Sequence, residues 1–312
     1  MINRQLLNPK SIVVVGGSNN LQKPGGKVLK NILDGGFDGD LYVVNPKEEE
    51  VQGIKSYQDP ASLPETDLAI LAVAAKLCPP TIKLLTEEKN TRAFIILSAG
   101  FSEESKEGAK LEQQVVDQVN QYNGALIGPN CIGLLNQKYN GVFTTPIPKL
   151  DPQGVDFISG SGATAVFIME SGIPKGLTFS SVYSVGNSAQ MGVEEVLQHM
   201  DENFDPQTSS RVKLLYIESI EKPQMLLKHA ASLIRKGCRI AAVKAGGSEA
   251  GSRAASSHTG ALSSSDAAVD ALFRKAGIVR CNGREELTTV ASIFMHPPME
   301  GKNMAIITHA GG

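Results

Sequence analysis

Short apolar runs, each closed by glycine, asparagine or proline, alternate along the chain with stretches whose apolar residues recur at helical spacing. Residues 11–15 are continuously apolar after Ser11 and end in Gly16-Gly17-Ser18, the pattern of a buried parallel strand feeding a tight loop. Gly25-Gly26 opens a helix through Val28, Leu29, Ile32 and Leu33, closed by Gly35-Gly36. Further strands are predicted over 41–44, stopped by Asn45-Pro46, over 68–73, stopped before Pro79-Pro80, and over 93–97, ending at Ser98-Ala99-Gly100. Helices are predicted over 81–89 and 103–122, the second through Leu111, Val115, Val116 and Val119, and 125–127 run into Gly128-Pro129-Asn130-Cys131. Strands alternating with helices in this way predict an α/β fold with a doubly wound parallel sheet and helices on both faces.

Residues 136–154 lose periodicity and carry Pro146, Pro148 and Pro152, so they read as a connection between domains. A second α/β series follows. Residues 155–158 lead into Ser159-Gly160-Ser161-Gly162 and a helix through Val166, Ile168 and Met169. A strand over 178–185 meets Gly186-Asn187 and is followed by a helix through Val193, Val196, Leu197 and Met200. A strand over 212–217 ends at Glu218, a helix covers 224–236, a strand over 239–243 precedes Lys244-Ala245-Gly246-Gly247, and a helix covers 265–276. Residues 303–308 begin another strand, after which the sequence stops at Gly311-Gly312 and reads as one piece of a larger chain. The expected division is a first domain over 1–140, a second over 141–298 and the start of a further α/β domain over 299–312.

Composition narrows the function. With 312 residues and 41% hydrophobic content, each domain can bury its own core. A net charge of −2 without a basic block points away from nucleic acid and anionic membranes. Cys78, Cys131, Cys238 and Cys281 are scattered and form no CxxC pair, as in a protein of a reducing cytosol. No apolar run approaches a membrane span or a signal-peptide h-region, so a cytoplasmic location is expected.

Candidate chemistry gathers where ligands gather in open α/β sheets, beyond the carboxyl ends of the strands. Gly16-Gly17-Ser18 lets backbone N–H groups approach a phosphate, but the run is not G-x-G-x-x-G, and Asn45 stands where an NAD site wants Asp or Glu. A nicotinamide oxidoreductase is therefore disfavoured. Ser159-Gly160-Ser161-Gly162 before a helix is a second anion cradle. His258, among the small residues of Ala255-Ser256-Ser257-His258-Thr259-Gly260-Ala261, is either a nucleophile able to take a phosphoryl group or a surface histidine in a glycine-rich turn. No second His or Cys at ligand spacing supports a metal there. Glu218 reads on spacing alone as an ordinary exposed acid. At a strand end it can also accept the Nδ1–H of His258, leaving Nε2 as nucleophile.

Together these stretches resemble the NDP-forming acyl-CoA synthetases: the ADP-forming acetyl-CoA synthetases, related to the α subunit of succinyl-CoA synthetase. The resemblance runs from about Leu7 to the end, through Val15-Gly16-Gly17-Ser18, Gly36-Phe37-Asp38-Gly39, Val44-Asn45-Pro46-Lys47, Ser98-Ala99-Gly100-Phe101-Ser102-Glu103 and Gly128-Pro129-Asn130-Cys131-Ile132-Gly133. It continues through Ser159-Gly160-Ser161-Gly162, Ser184-Val185-Gly186-Asn187 and Leu215-Tyr216-Ile217-Glu218, and is most specific at Ser257-His258-Thr259-Gly260-Ala261.

The resemblance implies a Rossmann-like CoA-binding domain followed by a flavodoxin-like ligase domain with a phosphohistidine loop. It implies that acyl-CoA and phosphate give acyl phosphate and CoA, that the phosphoryl group passes to His258, and that phosphohistidine then charges ADP, with a small carboxylic acid released. It assigns CoA to Gly17, Ser18, Lys47, Val73, Ser98, Ala99 and Gly100, with Asn130 near the thiol, phosphate to Ser161 and Gly162, and support of the imidazole to Glu218. Two departures stand out: Gly160 replaces an expected Gln, and Ser188-Ala189-Gln190 follow Gly186-Asn187 where an Asp is common. The ATP-grasp region that would hold ADP or ATP with Mg2+ is absent, which implies a partner domain or β subunit, in a homodimer or an α2β2-type assembly. A catalytically silent CoA-binding regulatory module, as in fusions to acetyltransferases, is the alternative. His258 together with Glu218 argues against silence.

Overall fold

The computed structural model describes residues 2–246 and 266–297, with 301–303, 305, 307 and 309. The first half contains α1 (Arg4–Leu7), β1 (Ser11–Val15), α2 (Pro24–Asp34), β2 (Asp40–Val44), β3 (Glu50–Val51), β4 (Ile54–Tyr57), β5 (Leu68–Leu71), α3 (Cys78–Glu88), β6 (Ala93–Ile96), α4 (Lys106–Gln121) and β7 (Ala125–Ile127). The second contains β8 (Gly133–Leu135), β9 (Asn140–Val142), β10 (Leu150–Ser159), α5 (Gly162–Gly172), β11 (Phe179–Ser184), α6 (Val193–Glu202), β12 (Val212–Ile217), α7 (Pro223–Arg235), β13 (Arg239–Lys244), α8 (Asp266–Ala276), β14 (Val279–Arg280) and α9 (Arg284–Phe294).

These strands form two seven-stranded sheets, ordered β3-β4-β2-β1-β5-β6-β7 and β14-β13-β12-β10-β11-β8-β9. In the first, all pairings are parallel except β3 with β4. In the second, β8 and β9 add an antiparallel edge to a parallel core. The central strands of the first sheet are apolar but for Ser11 because helices cover both faces: every residue of β1, β5 and β6 is buried. In each sheet the first long strand lies between its two successors, β1 between β2 and β5, and β10 between β11 and β12. Each domain thus has a topological switch point at its carboxyl edge.

Among the described residues, three apolar clusters form the core. One joins β6 and its neighbours to α3 and α4, through Phe94, Ile82 and Val115. Another joins the second sheet to α5 and α9, through Phe157, Ile168 and Leu287. The third runs through both domains, from Val28 and Ile32 of α2 to Val196, Leu226 and Phe273 of α6, α7 and α8. At ~25 cal/mol per Å² of buried apolar surface, this shared core favours one fixed arrangement of the two sheets.

The structure revises several expectations. The stretch 136–154 is not an irregular connection. It supplies β9 and the start of β10, and the short β8–β9 hairpin carries too few residues for its period to show in the sequence. Pro79 and Pro80 do not precede a helix at Thr81; they form its first turn, where the missing N–H would have no intrahelical partner. α4 begins at Lys106, capped by the Ser105 hydroxyl, which accepts from Gly108 N at 3.0 Å. The strand expected over 303–308 falls partly outside the described residues, as does the whole His258 block.

Candidate functional site

At the carboxyl edge of the first sheet the loops after β1, β2, β5 and β6 bear Gly17, Ser18, Lys47, Val73 and Ser98-Ala99-Gly100. The β1 loop is a close-packed backbone turn. Gly16 has φ +87°, and a Cβ there would lie 2.6 Å from the Ala72 carbonyl oxygen. A Cβ on Gly25 would lie 2.1 Å from the Gly16 oxygen, so the start of α2 abuts this turn and only glycine fits. Asn45 Nδ2 donates to the Gly17 oxygen at 2.8 Å, and Gln52 Nε2 to the Ser18 oxygen at 2.8 Å. Asn45 therefore serves to fix the glycine turn. Ser98 Oγ donates to the Val73 oxygen, joining the β5 and β6 loops, and Lys47 is exposed at the rim.

The second sheet supplies charge. Ser161 caps α5, its hydroxyl accepting from Thr164 N at 3.3 Å, and the Gly162 and Ala163 amides open the helix onto a cavity. A helix N-terminus of this length attracts an anion. Glu218 follows β12 on the far side of that turn. A Cβ on Gly160 would sit 3.4 Å from Glu218 Cγ, so the position adjoins Glu218 and leaves ordinary room for a side chain. Lys244 Nζ donates to the Glu218 backbone oxygen at 2.8 Å and to that of Ala245 at 2.7 Å. Burial holds the Lys244 ammonium below its usual pKa, against the Glu218 charge, which raises it. β13 thus brings Lys244 beside Glu218; residues 247–265, with His258, lie outside the described residues.

Between the two carboxyl edges lies a cavity of about 470 Å³. Leu97, Ile132, Phe143 and Val193 form apolar parts of its wall; Asn130, Ser161, Gly162 and Glu218 also line it. Cys131 lines it too, but burial pushes its thiol up to about 12, and Sγ points to the Ile96 oxygen at 3.3 Å, so it is no nucleophile. The start of α6 is occupied by its own acids. Glu195 accepts from Gly192 N at 2.9 Å and pairs with Lys222; buried Glu194 accepts from Glu221 N at 3.0 Å and Lys222 N at 3.2 Å. Burial would raise the Glu195 carboxyl, but Lys222 and the Gly192 amide outweigh it and hold it low. The start of α5, by contrast, presents its first-turn amides to the cavity.

Of the residues singled out in the sequence, Asn130, Ser161, Gly162 and Glu218 meet in this cavity. Gly17, Ser18, Lys47, Val73 and Ser98-Ala99-Gly100 sit along the adjoining edge of the first sheet. Sequence reasoning missed Asn187, Glu103, Glu194, Glu195 and Lys222. In the sequence Glu103 and Asn187 stand only as parts of motifs, and Glu194-Glu195 only within a helix. Their signal was modest: acids in the first turn of a helix and a polar residue just after a strand. Among the described residues no three His, Cys, Asp or Glu side chains group as a metal site, and no helix is long and apolar enough to cross a membrane.

Residues 10–137 match a CoA binding domain and residues 152–294 a succinyl-CoA ligase like flavodoxin domain. The chain belongs to the NDP-forming acyl-CoA synthetase family. Its fold is the family's Rossmann-like CoA-binding domain followed by a flavodoxin-like ligase domain. It is 37% identical over 308 residues to the α subunit of acetate–CoA ligase [ADP-forming] II from Pyrococcus furiosus, covering 98% of this chain and 65% of the relative. It is 33% identical over 317 residues to 4-hydroxybutyrate–CoA ligase [ADP-forming] of Nitrosopumilus maritimus, covering 100% of this chain and 45% of that one. The dinucleotide forming acetyl-coenzyme A synthetase 1 of Ca. Korarchaeum cryptofilum, solved with phosphate and ADP, superposes with TM-score 0.86 at 29% identity, over 96% of this chain and 63% of that one. The chain therefore spans less than two thirds of each of these family members.

Proposed function

We propose that this chain is the α-type portion of an ADP-forming acyl-CoA synthetase. The observation that carries this reading is the cavity where Asn130 on the CoA-domain side faces the α5 N-terminus and Glu218 on the other. CoA lies along Gly17, Ser18, Lys47, Val73 and Ser98-Ala99-Gly100, with its thiol end at Asn130. The glycine turn lets backbone amides approach the ligand's phosphates. Phosphate sits at Ser161 and Gly162, against the helix start. A phosphate oxygen attacks the thioester carbonyl, the C–S bond breaks, and CoA leaves as the thiol once its sulfur takes a proton. The amides at the start of α5 stabilise the phosphate charge throughout. Nε2 of His258 then takes the phosphoryl group from acyl phosphate, releasing the carboxylate, and Glu218 steadies the ring as it becomes positive. ADP receives the group in an ATP-grasp partner domain or β subunit, where ADP or ATP and Mg2+ belong. The apolar wall at Leu97, Ile132, Phe143 and Val193 suits a small acyl group.

The test compares wild type with His258→Ala, each incubated with acetyl phosphate labelled on phosphorus. Acid-labile, base-stable label on wild type alone is expected. Label on both proteins overturns His258 as acceptor. Absence of label on wild type, even with the ATP-grasp partner added, points to a silent CoA-binding module.

A further inference from the structure

The loop after β11 belongs to the ligase domain, yet it is stitched to the edge of the CoA-binding domain. Asn187 N donates to the Pro129 oxygen at 3.0 Å, and a Cβ on Gly186 would stand 2.1 Å from that same oxygen, so the two backbones touch. Three residues on, Gln190 Oε1 accepts from Leu126 N at 2.7 Å and Gln190 Nε2 donates to the Gly124 oxygen at 3.1 Å. Within this seam the Asn187 side chain reaches the opposite domain. Its Nδ2 donates to Glu103 Oε2, to Glu112 Oε2 at 2.9 Å and to Ser102 Oγ at 3.3 Å. Its Oδ1 accepts from Asn130 Nδ2 at 3.3 Å.

Glu103 carries the contact onward. Its Oε1 accepts from Gly100 N at 2.7 Å and Phe101 N at 3.2 Å. Burial would raise this carboxyl, but the Asn187 amide and the two backbone amides outweigh it and keep it ionised. One side chain of the ligase domain is therefore bonded both to Asn130 and, through Glu103, to the Ser98–Phe101 turn. A primary amide suits this place because it is neutral, offers two N–H donors to two carboxylates, and still accepts from a second amide. Aspartate would donate nothing and add a third negative charge; alanine would leave Glu103 and Glu112 to repel each other.

We propose that Asn187 is a positioning residue that holds the CoA turn of the first domain in register with the phosphate-binding α5 N-terminus of the second. This rests on the synthetase reading above. Acyl transfer from CoA sulfur to phosphate across a domain boundary depends on holding the reacting atoms within a fraction of an ångström, while the loops that bind CoA lie wholly within the first domain.

The test uses the chain assembled with its ATP-grasp partner. Asn187→Ala should lower kcat for phosphate-dependent cleavage of acyl-CoA on the order of 10–100-fold, leaving KM for CoA in the reverse direction within about twofold. Asn187→Asp should lose more, because its carboxylate faces Glu103 and Glu112. Amide hydrogen exchange at Gly100 and Phe101 should accelerate in Asn187→Ala while the β6 amides keep their wild-type rates. A KM that rises with kcat unchanged would make Asn187 a binding residue. Faster exchange throughout both sheets would make it merely structural, and unchanged exchange at Gly100 and Phe101 would end the proposal. If the wild-type assembly does not turn over, the synthetase reading fails, and the exchange measurement alone decides whether Asn187 orders the CoA turn.

Discussion

The two domains share one architecture and use it differently. The carboxyl edge of the first sheet is shaped by backbone: Gly16, Gly25 and the Asn45 amide press loops together so closely that side chains are excluded. The matching edge of the second sheet carries charge: Glu194, Glu195, Glu218 and Lys222 line the cavity onto which α5 opens. The difference extends below the edge. β10 and β12 bury an Asp156–Lys213 ion pair, with Ser181 Oγ donating to Asp156 at 2.5 Å and Lys213 Nζ to the Ser210 oxygen at 2.8 Å, whereas the first domain's β1, β5 and β6 are apolar but for Ser11. A long, flexible ligand can be held by backbone amides in close contact, whereas stabilising a migrating phosphoryl group takes fixed charges and a helix dipole. On the proposed function, one scaffold divides recognition from chemistry.

The comparison breaks most sharply at the ion pair. Lys213→Met leaves Asp156 buried without its counter-charge and should destabilise the ligase domain by about 3–5 kcal/mol in urea unfolding. Replacing both partners with apolar residues should recover most of that loss, and CoA binding by the first domain should persist in both variants. If Lys213→Met alone unfolds like wild type, the second domain does not depend on its buried charge.

A smaller effect is expected from Gly25→Ala, whose Cβ would meet the Gly16 oxygen. The overpacked turn should lose about 1–3 kcal/mol of stability. Calorimetric CoA affinity should fall by more than about tenfold, because a shift of the glycine turn moves the amides that approach the ligand. Full affinity in this variant would show that backbone closeness at the first edge is not what binds CoA.

The smallest effect concerns the joint between the domains. The Glu103 carboxyl is held low by Asn187 and by the Gly100 and Phe101 amides, against burial. Its contribution is fully present above the unfolded value of about 4.3 and is lost as pH falls through the lower folded value. Melting temperature should therefore separate wild type from Glu103→Gln at neutral pH and converge in acid. A gap that is constant with pH would mean that the Glu103 charge does not contribute to the seam.

Much of this was legible in the chain. Alternating apolar runs and helical periods marked β1, β2, β5, β6, β10, β11, β12 and β13 and the helices between most of them, because strands buried on both faces must be apolar and glycine must stand where loops touch. The positions of Gly17, Ser161 and Glu218 followed, since each lies at the end of such a strand. What the sequence did not show were short, locally weak features. The β8–β9 hairpin has three-residue strands, α9 follows a turn without a strong cap, and the proline pair of α3 looks like a stop until the helix is seen to begin on it.

The sequence by itself determined two α/β units, their order and the strand-end residues, because side-chain period and turn chemistry are local properties. Only the tertiary structure decided that the two carboxyl edges face one cavity. It alone set Asn187 against Glu103 and Glu112, 84 and 75 residues away along the chain. Such pairings have no period to read: a single amide finds two carboxylates only once a shared apolar core has fixed the domains together.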